Sequence, residues 1–126
     1  MSFTNFLETE ILDHVFAGAA YTAPSTLYLG LFTAAPGEAG GGTELSGNGY
    51  TRKAIAFTTS GDTTSNNAAV EFPTATGTWG TVTHVGVFDA STSGNLLVYA
   101  TLSASKTVAS GDVFRVPSGD LDITLN

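Results

Sequence analysis

The stretch Leu27-Tyr28-Leu29-Gly30-Leu31-Phe32 decides the fold, because large apolar side chains occupy both faces of this short segment. Side chains alternate between two faces along a strand, so a strand that is apolar on both faces is covered on each side. The segment therefore predicts a central strand. A turn follows at Ala35-Pro36-Gly37, where proline and glycine favour a change of direction.

Outward from this strand, the chain consists of short apolar or alternating runs separated by turn-forming residues. The pattern predicts a mainly β protein, a single jelly-roll-like β-sandwich of about seven or eight short antiparallel strands with one N-terminal α-helix. The other expected strands are Tyr50–Phe57, Ala69–Phe72, Thr81–Phe88, Leu96–Leu102, Thr107–Val108, Val113–Val116 and Leu121–Leu125.

Two long polar segments, Glu38–Asn48 and Thr58–Asn67, are expected to be loops at an exposed end of the sandwich. In the strand Thr81–Phe88, alternation predicts Val85 and Val87 on one face. The opposite face of that strand is expected to carry Val82, His84 and Phe88.

A helix is predicted over about Thr4 to Ala17, with Thr4 or Asn5 as its cap. The helix packs either on the β-core or on a neighbouring subunit, and the pattern leaves both open. The chain is expected to be one domain over 1–126, with the helix and linker in 1–23 and the sandwich in 24–126. Four apolar residues recur every fourth position and are the candidate assembly contacts: Phe3, Leu7, Ile11 and Val15, beside a second row of Leu12 and Phe16.

Composition narrows the classes of function. The 126 residues include 4 basic and 11 acidic side chains, a formal net charge of −7, which disfavours nucleic acid and anionic membranes as partners. No cysteine is present, which excludes disulfides, zinc–thiolate sites and thiol nucleophiles. No signal peptide is visible at the N-terminus, so synthesis in the cytoplasm is expected.

No constellation of residues predicts catalysis, a cofactor or a metal, and the chain is expected not to be an enzyme. Glu38 and Glu44 share a glycine-rich loop that is expected to hold neither carboxylate rigidly. Asp120 and Asp122 lie two residues apart on one strand face, where solvated carboxylates are expected more than calcium ligands. The histidines His14 and His84 show no metal-binding spacing.

Trp79 is the one candidate ligand contact, because glycines at positions 77 and 80 flank it. An exposed indole ring at such a site would stack on a sugar ring. The alternative is that Trp79 covers the open end of the sandwich or lies at a subunit interface, where aromatic side chains are enriched.

With these residues described, the chain resembles a family of small tailed-bacteriophage virion proteins whose members are labelled structural, tail-fibre or decoration proteins. The resemblance extends over nearly the whole length and implies a structural part of a virus particle. It is carried by Phe6-Leu7-Glu8, His14-Val15-Phe16, Tyr28-Leu29-Gly30-Leu31-Phe32-Thr33, Pro36-Gly37, Gly49-Tyr50-Thr51-Arg52-Lys53-Ala54, Phe72-Pro73, Thr78–Gly86, Asp89-Ala90, Gly94-Asn95-Leu96-Leu97, Lys106-Thr107-Val108 and Gly111-Asp112.

Three functions from different classes follow as hypotheses. The favoured one is a capsid decoration (cement) protein that forms homo-oligomers, with a trimer preferred, and contacts major capsid or tail proteins in the virion. The alternative is a tail-fibre or tail-tip component, with a glycan-binding module for the host surface as one form of it. A small hydrolase is the third, and no arrangement of side chains supports it.

Overall fold

The computed structural model describes residues 1–125, and over that range it contains one helix and eleven strands. The predicted mainly β fold with one N-terminal helix is confirmed. The helix, α1, is Asn5–Phe16. The strands are β1 (Ser2–Phe3), β2 (Leu27–Ala34), β3 (Thr43–Glu44), β4 (Lys53–Ile55), β5 (Phe57–Ser60), β6 (Thr63–Asn66), β7 (Val70–Glu71), β8 (Gly80–Phe88), β9 (Leu96–Val108), β10 (Arg115–Val116) and β11 (Asp122–Thr124).

The largest sheet is antiparallel and has β2 and β8 at its centre. Its order is β1-β9-β8-β2-β3, and β4 also pairs with β2. In the β2–β8 ladder, Gly30 lies directly opposite Gly86 and Leu31 opposite Val85. The stretch that predicted a central strand therefore forms one, with neighbours on both edges.

Both faces of β2 are covered, as its sequence predicts. One face carries Leu29 and Leu31 into the main core, and both are fully buried there. On the other face, Phe32 packs with Phe88 and Leu96 in a second, smaller cluster. The Phe32 and Phe88 rings are stacked with centroids 5.9 Å apart.

Two small sheets form a second layer against the main sheet. One pairs β10 with β7, and the other has the order β11-β6-β5. Phe72 and Phe114 flank the first small sheet and share the main core with Leu29 and Leu31, so the two layers enclose one apolar interior. The arrangement is sandwich-like with layers of unequal size.

The strand count differs from the prediction because four of the eleven strands in residues 1–125 have only two residues. Two residues are too few to show a period of two. The polar segment Thr58–Asn67, which the sequence predicts to be a loop, is mostly the hairpin β5–β6, in which Thr58 pairs with Ser65. Its threonines favour extended backbone even without apolar alternation.

A bulge also changes one predicted face. In the β8–β9 ladder, Val82 pairs with Lys106 and His84 pairs with Thr101, so residues 102–105 of β9 lie opposite a single residue of β8. The alternation slips here, and Val82 joins Val85 in the main core rather than facing away from it. The same bulge lies where the sequence predicted a break between two strands, which the structure joins as β9.

Candidate functional site

The helix begins at a fixed point of the sheet because its cap is buried. Thr4 is the cap; its Oγ1 accepts a hydrogen bond from the Leu7 amide at 3.5 Å and donates one to the Leu96 carbonyl at 2.7 Å. The Thr4 amide donates to the Leu97 carbonyl at 2.9 Å. Because its hydroxyl both donates and accepts, Thr4 is buried at little cost. The N-terminal turn is therefore tied to β9.

The four candidate assembly contacts are divided between the interior and the surface. Phe3 and Leu7 are half-buried and pack against the main core of their own chain. Ile11 is half-buried, whereas Val15 is 60% exposed. Phe3 and Leu7 thus stabilise the fold of their own chain, and only Val15, at the end of the row, is exposed enough to contact a partner.

Four large apolar side chains are exposed in residues 1–125: Leu125, and three in the C-terminal half of α1. Leu12, Val15 and Phe16 are 58%, 60% and 79% exposed, and we call these three residues the helix tip. Their spacing of three and four residues places them on one side of the helix. Glu8 lies one turn before Leu12, and Asp13 lies one turn before Phe16, so carboxylates border the tip. Sequence periodicity identified the row of Leu12 and Phe16 but did not single it out as the exposed one.

The chain that follows the helix holds the tip in a defined position. Gly18 has a φ of 73°, a conformation that glycine adopts without strain, and it turns the chain back along the helix. The Tyr21 amide then donates a hydrogen bond to Nδ1 of His14 at 3.0 Å. The Tyr21 ring meets the edge of Phe6, with centroids 6.4 Å apart. His14 therefore has a structural role at the helix end.

Trp79 is not an exposed platform. Its side chain is in the main core with 7% of its surface exposed. Its Nε1 donates a hydrogen bond to the Asn48 carbonyl at 2.8 Å, and its ring meets Tyr50 edge to face at 5.6 Å. Its burial agrees with the alternative, in which Trp79 covers the interior of the sandwich, and leaves no exposed ring on which a sugar could stack.

A polar network that the sequence did not predict lies next to β2 and consists of Glu44, Tyr50 and Arg52. Glu44 is on β3, where it forms a two-point ion pair with Arg52: both nitrogen–oxygen distances are 2.8 Å. The Tyr50 hydroxyl donates to Glu44 Oε2 at 2.7 Å and accepts from the Leu31 amide at 3.1 Å. The Arg52 guanidinium also lies 3.4 Å from the centroid of the Phe88 ring. Glu44 is thus held rigidly, contrary to the expectation from its glycine-rich surroundings.

The Tyr50 hydroxyl makes the stability of this network depend on pH. Burial and the hydrogen bond to Glu44 raise the pKa of Tyr50 far above its usual range. In the unfolded chain this group ionises near pH 10, whereas the folded chain keeps its proton. Above pH 10 the unfolded state binds fewer protons than the folded state. The contribution of the Tyr50 hydroxyl to stability is therefore complete below about pH 10 and is lost as the pH rises further.

We therefore expect the free energy of unfolding to fall above pH 10, with Tyr50 contributing about 1.4 kcal/mol per pH unit. The measurement is urea unfolding from pH 8 to pH 11. Tyr50→Phe is the matched variant: it keeps the contributions of Tyr21 and Tyr99, whose pKa values are also raised. Equal alkaline slopes for the two proteins would contradict the role given to Tyr50.

The remaining candidate residues do not converge on one site. Asp120 and Asp122 are exposed, and Asp122 accepts a hydrogen bond from Ser65. Glu38 accepts one from the Tyr99 hydroxyl at 2.9 Å, and Nδ1 of His84 lies 2.7 Å from the hydroxyl of the preceding threonine. Within residues 1–125, no three side chains of the metal-binding types cluster.

The described part of the chain has no helix with the length and apolar character needed to cross a membrane. Its fold and surface define a small, mainly β protein with a buried polar network and an apolar helix tip bordered by carboxylates. The model of the family described as Podophage GP4 fiber I protein gp80 matches residues 2–124. The chain belongs to this family and is a phage structural protein of the fibre type. The resemblance to tailed-phage virion proteins is confirmed, and no curated protein matches the chain.

Proposed function

We propose that this chain is a non-enzymatic subunit of a fibre on the tail of a phage particle, where it forms a homo-oligomer. The family match over residues 2–124 is the observation that carries the proposal, because it includes both the fold and the helix tip. The family description favours a fibre over the capsid-decoration role that the sequence alone suggested.

The helix tip supports assembly. Three large apolar side chains on one helix face are exposed together, and a contiguous apolar patch of this kind is typical of an interaction site. The interior of the chain uses none of the three to fill its core. Covering the tip with protein would remove this apolar surface from water, at a gain of roughly 25 cal/mol per Å².

A fibre subunit also has a symmetry requirement. A fibre has one end that docks on the particle and one free end, so its subunits are related by cyclic symmetry, whose axis has two different ends. A trimer is the arrangement we favour. The docking partners in this proposal are other virion proteins, with tail proteins first and the major capsid protein as the alternative.

We expect the chain to be far less abundant in the particle than the major capsid protein. A tail carries few fibres, whereas a decoration protein covers a shell and matches the capsid protein in abundance. Quantitative mass spectrometry of purified particles measures this ratio, with separated capsid and tail fractions as the internal control. Enrichment in the tail fraction supports the fibre, and an abundance near that of the capsid protein, retained on capsids, would assign the chain to capsid decoration instead.

A further inference from the structure

A groove of about 430 Å³ lies beside the bulge of β9. It lies at the bulge, where residues 102–105 of β9 face a single residue of β8. Leu102, Phe114 and Leu121 contribute apolar surface to its lining, and Lys106 and Arg115 also line it. The groove is therefore apolar inside with two cationic side chains beside it.

Positive charge is scarce in this chain, and the groove holds a large share of it. Of the 4 basic residues, Arg52 is paired with Glu44 in the interior of the polar network. Two of the other three, Lys106 and Arg115, line the groove. Asp120 and Asp122 line it as well, so the charged side chains of the lining balance, and the groove is less negative than a chain with a net charge of −7 is on average.

The helix tip is complementary to this groove in charge and resembles it in apolar character. It is apolar, it is bordered by Glu8 and Asp13, and the helix Asn5–Phe16 contains no lysine or arginine. Two copies of a chain with a net charge of −7 repel each other unless their interface brings carboxylates against cations. The groove is the surface that offers two cations beside apolar side chains.

We propose that copies of this chain join head to tail, with the helix tip of one copy seated in the β9 groove of the next. This inference rests on the proposed homo-oligomer and adds its geometry. The tip and the groove are different surfaces, so the contact is heterologous; it closes a ring when the rotation between neighbouring copies divides a full turn, as in the trimer that we favour. Phe16, the most exposed of the three tip residues, packs on the half-buried Leu102 and Leu121, while Asp13 lies near Lys106 or Arg115.

The first test compares the solution masses of variants by light scattering after size-exclusion chromatography. The tip variant Phe16→Ser and the groove variant Lys106→Glu/Arg115→Glu are each expected to raise the dissociation constant at least about thirty-fold, the effect of losing one dominant contact. Lys53→Glu is the control for charge reversal at a site away from the groove, and it should leave the mass unchanged. Circular dichroism verifies that each variant is folded.

The second test distinguishes head-to-tail assembly from a helix-to-helix contact. An equimolar mixture of the tip variant and the groove variant retains one intact contact, between the tip of the groove variant and the groove of the tip variant. We expect this mixture to form heterodimers of twice the 12.9 kDa chain mass, while each variant alone stays monomeric. A helix-to-helix contact needs two intact tips. It gives no heterodimer, because the tip variant in each mixed pair contributes an altered tip.

The outcomes separate this inference from the proposed function. An oligomer that persists in the groove variant, or a mixture without heterodimers, overturns the head-to-tail contact and leaves the homo-oligomer standing. A wild-type chain that is monomeric at every accessible concentration overturns both. The place of the chain in the particle is measured independently by its copy number.

Discussion

Replacing Arg52 with alanine is expected to lower the free energy of unfolding by about 3–5 kcal/mol, because it leaves a poorly solvated carboxylate without its partner. The Arg52 side chain is 9% exposed and that of Glu44 is 23% exposed. Arg52 also donates hydrogen bonds to the carbonyls of Ala90 and Ser93, at 2.9 and 2.8 Å. One side chain thus ties β3 and β4 to the turn between β8 and β9.

Chemical denaturation followed by the fluorescence of Trp79 measures this loss. The adjacent substitution Lys53→Ala removes the same charge from a side chain outside the network, and we expect it to cost less than about 1 kcal/mol. The double variant Glu44→Gln/Arg52→Met should be more stable than Arg52→Ala, since it leaves no unpaired charge. If Arg52→Ala costs no more than Lys53→Ala, the network contributes little to the fold.

Local patterns in the sequence predicted those parts of the fold that depend on nearby residues. Leu27–Phe32 is apolar on both faces, and this alone placed β2 at the centre of a covered sheet. The helix and its cap followed from spacing and from Thr4. The alternation predicted the wrong face of β8 for Val82, because the bulge in the ladder with β9 shifts the alternation.

The polar network and the exposed helix tip could not be predicted because both depend on how separate elements align in the folded chain. Glu44 meets Arg52 only after β3 and β4 align along β2. Likewise, the amphipathic pattern of the helix does not reveal how far the sheet extends beneath it. Val15 and Phe16 are exposed, so the sheet does not cover this end of the helix.

The second large effect is expected at the glycine pair in the middle of the main sheet. Gly30 and Gly86 lie opposite each other in the β2–β8 ladder, and aromatic rings occupy the space that side chains would fill. A Cβ on Gly86 would lie 2.6 Å from Leu96 Cδ1 and 3.0 Å from Phe32 Cε1. Glycine is therefore needed here for space, because both the Leu96 side chain and the stacked ring of Phe32 lie over the backbone.

We expect Gly86→Val to lower the free energy of unfolding by about 2–3 kcal/mol, through overpacking of the cluster on this face. Gly37→Val is the matched control, since a Cβ at Gly37 meets no atom within 4 Å. Adding Phe32→Leu to Gly86→Val should cost less than the sum of the two single changes, because the smaller side chain opens the space that valine needs. Additive losses in this double-mutant cycle, measured by urea unfolding, would contradict a steric role for Gly86. A Gly86→Val protein as stable as the Gly37→Val control would show that the ring and Leu96 yield freely, and that the second cluster is not closely packed.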